Sequence, residues 1–161
     1  MHTPPPNTRR SVLATMLALG LAPAFAQGGT ARTAMEVWKD PSCGCCQDWI
    51  THLEGSGFAV QVHEAGNEAA RQRLGVDRSF GSCHTAQVGG YAIEGHVPAP
   101  EIRRLLKERP IAIGLAVPGM PVGSPGMDGP AYGGRKDAFD VLLLTRGGGS
   151  KVFRHYAGTK A

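Results

Sequence analysis

The sequence predicts an α/β fold with a Gly/Pro-rich C-terminal extension that ends in a β-hairpin. Three observations carry this expectation. Short alternating stretches give way to stretches whose apolar residues recur at helical spacing. Turn-forming residues separate them. Residues 110–134 hold seven Gly and five Pro in 25, too many for a regular element. With 161 residues, 42% hydrophobic, the chain is long enough for one domain around one core.

The first 26 residues read as an export signal rather than as part of the fold. Arg9 and Arg10 precede the apolar run Val12 to Leu21, and Ala24-Phe25-Ala26 supplies the small-x-small pattern of a signal-peptidase site. That run is shorter than the roughly 20 residues that span a bilayer, and no longer one follows, so no membrane insertion is expected. Thr8-Arg9-Arg10-Ser11-Val12-Leu13 resembles a twin-arginine signal. A general secretory signal would carry the same two charges, so both routes stay open. Removing this segment removes two arginines and no acid, taking the formal net charge from +4 to +2. No Lys/Arg-rich run accompanies that charge, which argues against a nucleic-acid partner.

After a leader at Gln27 to Arg32, Ala34-Met35-Glu36-Val37-Trp38 alternates as a first strand ending at Lys39-Asp40-Pro41. Cys46, Trp49, Ile50 and Leu53 then follow i, i+3, i+4, i+7, one apolar helix face that Gly55 and Gly57 terminate. Phe58 to His63 reads as a second strand, and Asn67 to Leu74 as a short helix with Asn67 as its N-cap. Ser79 to His84 is a loop. Thr85 to Val88 and Tyr91 to Ile93 flank Gly89-Gly90, a dipeptide suited to a two-residue hairpin turn. Pro100 to Glu108 is a helix with Ile102, Leu105 and Leu106 inward and Arg103, Arg104 and Lys107 outward.

The order strand, helix, strand, helix, hairpin, helix, with a cysteine turn after the first strand, points to a thioredoxin-like domain over residues 33–109. Residues 110–161 remain as a C-terminal extension. Its irregular arm contains a small duplication, Pro118-Gly119-Met120 and Pro125-Gly126-Met127, and Asp140 to Thr145 and Lys151 to Tyr156 form the closing hairpin. A long arm closed by such a hairpin is expected to be functional rather than disordered.

The four cysteines are unevenly placed: Cys43, Cys45 and Cys46 fall within four residues and Cys83 stands apart. A stapling framework spreads its cysteines, so two structural disulfides are not expected from this set. The cluster occupies a strand-to-helix turn, where free N–H groups and the helix dipole stabilise a thiolate. Thiolates bind metal and attack disulfides, so both chemistries are open. Cys43 and Cys46 have dithiol-exchange spacing, but Cys45 adds a soft ligand that exchange does not need. Three sulfurs so close fit a soft ion such as Cu(I), which thiolates can also bridge. Structural zinc is less suited, because no second Cys-x-x-Cys exists.

In a thioredoxin-like fold, Ser82-Cys83-His84-Thr85 would face this turn, bringing a fourth sulfur and an imidazole. Met120 and Met127 are thioethers on Gly-rich backbone and complete the candidate metal ligands. His63, His96 and His155 are expected to be surface or core residues, His52 to be solvated, and His2 to leave with the signal.

These stretches, Trp38-Lys39-Asp40-Pro41-Ser42-Cys43-Gly44-Cys45-Cys46, Ser82-Cys83-His84-Thr85, Val88-Gly89-Gly90-Tyr91, Ile93-Glu94-Gly95-His96-Val97-Pro98 and Gly114-Leu115-Ala116-Val117-Pro118-Gly119-Met120, resemble the CopG-type family. Its members are small exported bacterial proteins with a Cys-x-Cys-Cys motif, long described as a domain of unknown function and associated with copper resistance. The resemblance runs from about Met35 to Tyr156. It implies a periplasmic, thioredoxin-like protein whose extension helps bind a cysteine-bridged cluster of several copper ions, with a role in interconverting Cu(I) and Cu(II). The ligand positions carry onto Cys43, Cys45, Cys46, Cys83, His84, Met120 and Met127. Copper ions, a copper efflux system or an electron donor are the expected partners, and a monomer the expected state. Two other functions fit the same residues: a thiol-disulfide oxidoreductase in which Cys43 attacks and Cys46 resolves, and a copper chaperone without redox chemistry.

Overall fold

Alternation sets the first strand. In β1 (Thr33–Lys39) the side chains of Met35, Val37 and Lys39 are buried while Ala34 and Glu36 are exposed. This computed structural model describes residues 1–3 and 31–159, so the expected export signal lies outside the described residues apart from Met1 to Thr3. Helix α1 (Gly44–Gly55) buries Cys46, Trp49, Ile50 and Leu53, the face expected from their spacing. Strand β2 (Phe58–His63) runs parallel to β1, with Met35 opposite Val60. Helix α2 (Glu68–Arg73), a 3-10 turn at Arg78–Phe80, the hairpin of β3 (His84–Val88) and β4 (Tyr91–Glu94), and helix α3 (Ala99–Glu108) follow in the expected order. Leu106 of α3 is only partly buried.

Two features depart from the sequence expectation. Asn67 stands at the N-cap of α2 but makes no side-chain cap bond. Its amide instead donates to the Ser82 carbonyl at 3.1 Å and to Thr85 Oγ1 at 3.2 Å, a tertiary use that outcompetes the local cap. The second departure lies in the arm, where Gly114–Ala116 forms a strand, β5, buried along its whole length. It pairs parallel with β4 and antiparallel with β6 (Phe139–Leu144), which pairs in turn with β7 (Ser150–Tyr156). Gly114 is required there: a Cβ at this position would stand 1.7 Å from the Ala92 carbonyl oxygen of β4.

The result is one mixed seven-stranded sheet in the order β2-β1-β3-β4-β5-β6-β7. The terminal hairpin therefore continues the same sheet as the N-terminal strands. The larger of two core clusters among the described residues, including Met35, Val37, Trp49, Ile50, Ile93, Ile102, Leu105, Leu115 and Val141, joins α1 and α3 to strands from both halves of the chain. Among the described residues no helix is long and apolar enough to cross a membrane.

Candidate metal centre

The chain turns sharply where β1 ends. Asp40 accepts hydrogen bonds from the Ser42 amide (2.9 Å) and hydroxyl, and these bonds hold its carboxyl below the usual carboxylate range. From beneath, the buried Lys39 ammonium donates to the Asp40 and Pro41 carbonyls at 3.1 and 3.4 Å and to Glu64 at 3.3 Å. This knot leaves Cys43 as the N-cap of α1, with Cys45 and Cys46 in the first turn. Cys43 and Cys46 are joined by a disulfide, while Cys45 and Cys83 are free.

Antiparallel pairing of β1 with β3 puts Lys39 opposite His84. The residue before His84 therefore lies beside the turn after Lys39, and this is how Cys83 reaches the cluster. Cys45 Sγ is 3.7 Å from Cys43 Sγ and 3.9 Å from Cys83 Sγ, and all four sulfurs lie within 4.8 Å of one another. The expectation that Cys83 faces the cysteine turn is met in geometry.

Two imidazoles stand behind Cys83. His84, fully buried against Trp49 with ring centroids 4.2 Å apart, brings Nδ1 to 3.4 Å from Cys83 Sγ. Its Nε2 is the buried side-chain polar atom left without a partner among the described residues. His96, also fully buried, brings Nε2 to 3.2 Å from the same sulfur and donates Nδ1–H to the Pro125 carbonyl at 2.9 Å. That bond fixes the tautomer and leaves Nε2 with its lone pair toward Cys83. Burial lowers the pKa of both rings, that of His84 well below the usual histidine range, so both are neutral at neutral pH. Burial, with Cys45 adding to it, pushes the Cys83 thiol up to about 12. A thiolate there needs a compensating cation, and a soft metal ion that displaces the proton meets that need. The two free thiols and two imidazoles, joined by the Cys43 and Cys46 sulfurs once their disulfide is reduced, form a donor set that fits a thiophilic metal.

The arm reaches this centre at defined points. Gly126, at φ +84, lies so close to the first turn of α1 that a Cβ would stand 2.6 Å from the Cys45 carbonyl oxygen and 2.7 Å from the Trp49 nitrogen. Met127 is largely buried, and its sulfur accepts a hydrogen bond from the Tyr132 hydroxyl at 3.3 Å. Gly119 donates its amide to the Gly81 carbonyl and accepts from the Ser82 hydroxyl, and the Met120 that follows it is 51% exposed.

Residues 80–127, which carry Cys83, both imidazoles and both Pro-Gly-Met steps, match the family model described as "Protein of unknown function, DUF411". A solved structure described as "Copper resistance protein copG- Form 1" is 50% identical, with a TM-score of 0.73, over 79% of this chain and 99% of that one. A second, "Copper resistance protein copG- Form 2", is 51% identical with a TM-score of 0.71, over 78% of this chain and 98% of that one. This chain belongs to the CopG family. No curated protein matches it.

Within this CopG-family chain the sulfur cluster is able to bind metal; Cys43, Cys45 and Cys46 were legible from residue spacing and Cys83 from the expected fold, but His96 was not. A signal for it did exist. The β3–β4 hairpin pairs Thr85 with Glu94, and two residues further out the same register brings Cys83 level with His96. His63 and His155 are surface residues, as expected, paired with Glu36 at 3.1 Å and Asp140 at 2.7 Å. His52 is not solvated as expected: its Nε2 accepts the Ala99 amide at 3.2 Å and so caps α3, whose own N-cap residue is Pro98.

Proposed function

We propose that this protein is an exported, periplasmic copper-binding protein of copper resistance. In this reading Cys43, Cys45, Cys46 and Cys83 bridge several copper ions as thiolates, and His84 and His96 provide nitrogen ligands at the Cys83 side. Met120 and Met127 contribute thioethers from the arm. The observation that carries the reading is the convergence of four sulfurs from two distant segments within 4.8 Å. The disulfide between Cys43 and Cys46 leaves two free thiols, so a cluster bridged by all four requires that bond to be reduced.

The same pair supplies a route to Cu(I)/Cu(II) interconversion. Oxidation of the Cys43/Cys46 dithiol to the disulfide releases two electrons and two protons, enough to convert two Cu(II) to two Cu(I). His84 and His96 would stay available as nitrogen donors, since burial disfavours their protonation.

Anaerobic reconstitution of the reduced protein, followed by elemental analysis, tests the reading. Several copper ions per chain are expected, with fewer in Cys83→Ser; a wild-type protein that retains no copper sinks it. The Cys43–Cys46 disulfide also favours a second reading, thiol-disulfide exchange with Cys43 attacking and Cys46 resolving. That reading requires disulfide reductase turnover that survives Cys45→Ser.

A further inference from the structure

Cys83 presents a problem of position. Cys45 and Cys46 are carried by a helix, whereas Cys83 lies in a short loop between the 3-10 turn at Arg78–Phe80 and β3. Its neighbour Ser82 is nevertheless held at every polar atom. The Ser82 amide donates to Glu94 Oε1 at 2.7 Å. Its carbonyl accepts from Arg71 Nη2 at 2.6 Å and from Asn67 Nδ2 at 3.1 Å, and its hydroxyl donates to the Gly119 carbonyl.

Arg71 and Glu94 are themselves a buried ion pair, 8% and 0% exposed, with Nε donating to Oε1 at 2.9 Å. The remaining Glu94 oxygen accepts from Thr85 Oγ1 at 2.6 Å, and Arg71 Nη1 donates to Glu68 at 2.9 Å. A buried ion pair is a poor way to gain stability, because desolvating two charges offsets most of their attraction. A fully satisfied polar network does, however, define a single geometry. Here the guanidinium and the carboxylate each spend a hydrogen bond on the backbone of the same residue, the one before Cys83.

We infer that Arg71 and Glu94 are positioning residues that clamp Ser82 from both sides of its backbone and thereby hold Cys83 against Cys45, His84 and His96. Neither side chain hydrogen-bonds to a candidate ligand. The consequence for metal rests on the copper-binding reading above; the positioning itself does not. Lys at position 71 keeps the charge but lacks the planar fork needed to reach Glu94, Glu68 and the Ser82 carbonyl together.

The test uses metal-free protein and measures the ratio of iodoacetamide alkylation rates at Cys83 and Cys45 by peptide mass spectrometry. The variants are Arg71→Lys, Glu94→Gln and the milder Asn67→Ala, which removes one donor to Ser82 and leaves the ion pair intact. Circular dichroism identifies the variants that fold. The ratio is expected to rise at least about fivefold in Arg71→Lys and Glu94→Gln and about twofold in Asn67→Ala. A purely structural ion pair would lower the melting temperature without moving the ratio. An unchanged ratio in the folded variants, Asn67→Ala included, overturns the inference. In parallel, copper per chain in Arg71→Lys is expected to fall to the level of Cys83→Ser. Wild-type protein that binds no copper refutes the copper reading alone, and the clamp then stands or falls on the alkylation ratio.

Discussion

His52 shows how one side chain on α1 ties the start of α3 to the site-bearing helix. Its Nε2 can accept the Ala99 amide only while unprotonated. Burial lowers its pKa, and Asp128 opposes the shift. The unfolded chain takes up this proton near pH 6.5, the folded chain only below that. Between those values the unfolded state binds more protons, so the stabilisation is complete above about pH 6.5 and is lost as pH falls below it. Urea denaturation of the metal-free protein should show stability falling from pH 7 to pH 5.5. His52→Leu should fall less steeply and should be less stable at pH 7 by about 1 kcal/mol, the worth of a typical helix cap. Equal slopes for the two proteins would contradict this role. Individual residues were unevenly legible in the sequence. Cys43, Cys45 and Cys46 announce themselves by proximity, but a lone histidine has no local signature, and His52 and His96 acquire their partners only across the fold.

At the scale of elements, α1 was readable because four buried positions repeat at the helical period. Strand β5 was not, because three residues are too few to show alternation and Gly, Leu and Ala have no common strand preference. Its identity comes from its neighbours, which hydrogen-bond it from both sides. The arm beyond β5 is likewise defined by contact, and Gly126 packs tightly against α1. In Gly126→Ala, the left-handed backbone conformation alone is disfavoured by about 1–2 kcal/mol, and the clash with the Cys45 carbonyl adds to it. A loss of about 2 kcal/mol or more in urea denaturation is expected, together with reduced copper retention in reconstituted protein. A variant of wild-type stability would show that the arm does not depend on this contact.

At the largest scale, the described residues from Ala31 onward are organised by one sheet that crosses the boundary at residue 109 suggested by composition. Residues 110–161 supply β5, β6 and β7 and the core side chains Leu115, Val117 and Val141. Tyr156 of β7 also donates to the buried Glu101 carboxylate of α3. Ending the chain at Arg109 would leave β4 as an open edge with an uncovered apolar face, the arrangement that recruits other chains. Size-exclusion chromatography and circular dichroism of this truncation should show aggregated or unfolded material; a folded monomer would establish residues 33–109 as an independent domain.

The sequence by itself determined the α/β class, the positions of the helices and of most strands, and the presence of three cysteines at one helix N-terminus. These depend on periodicity and on turn chemistry, which act over a few residues. Only the tertiary structure decided that His96 joins Cys83 at the cluster, that Gly126 packs against α1, and that a buried Arg71–Glu94 pair grips the backbone beside Cys83. Those meetings depend on how hairpin register and the shared sheet place residues from separate segments, which short-range periodicity alone does not fix.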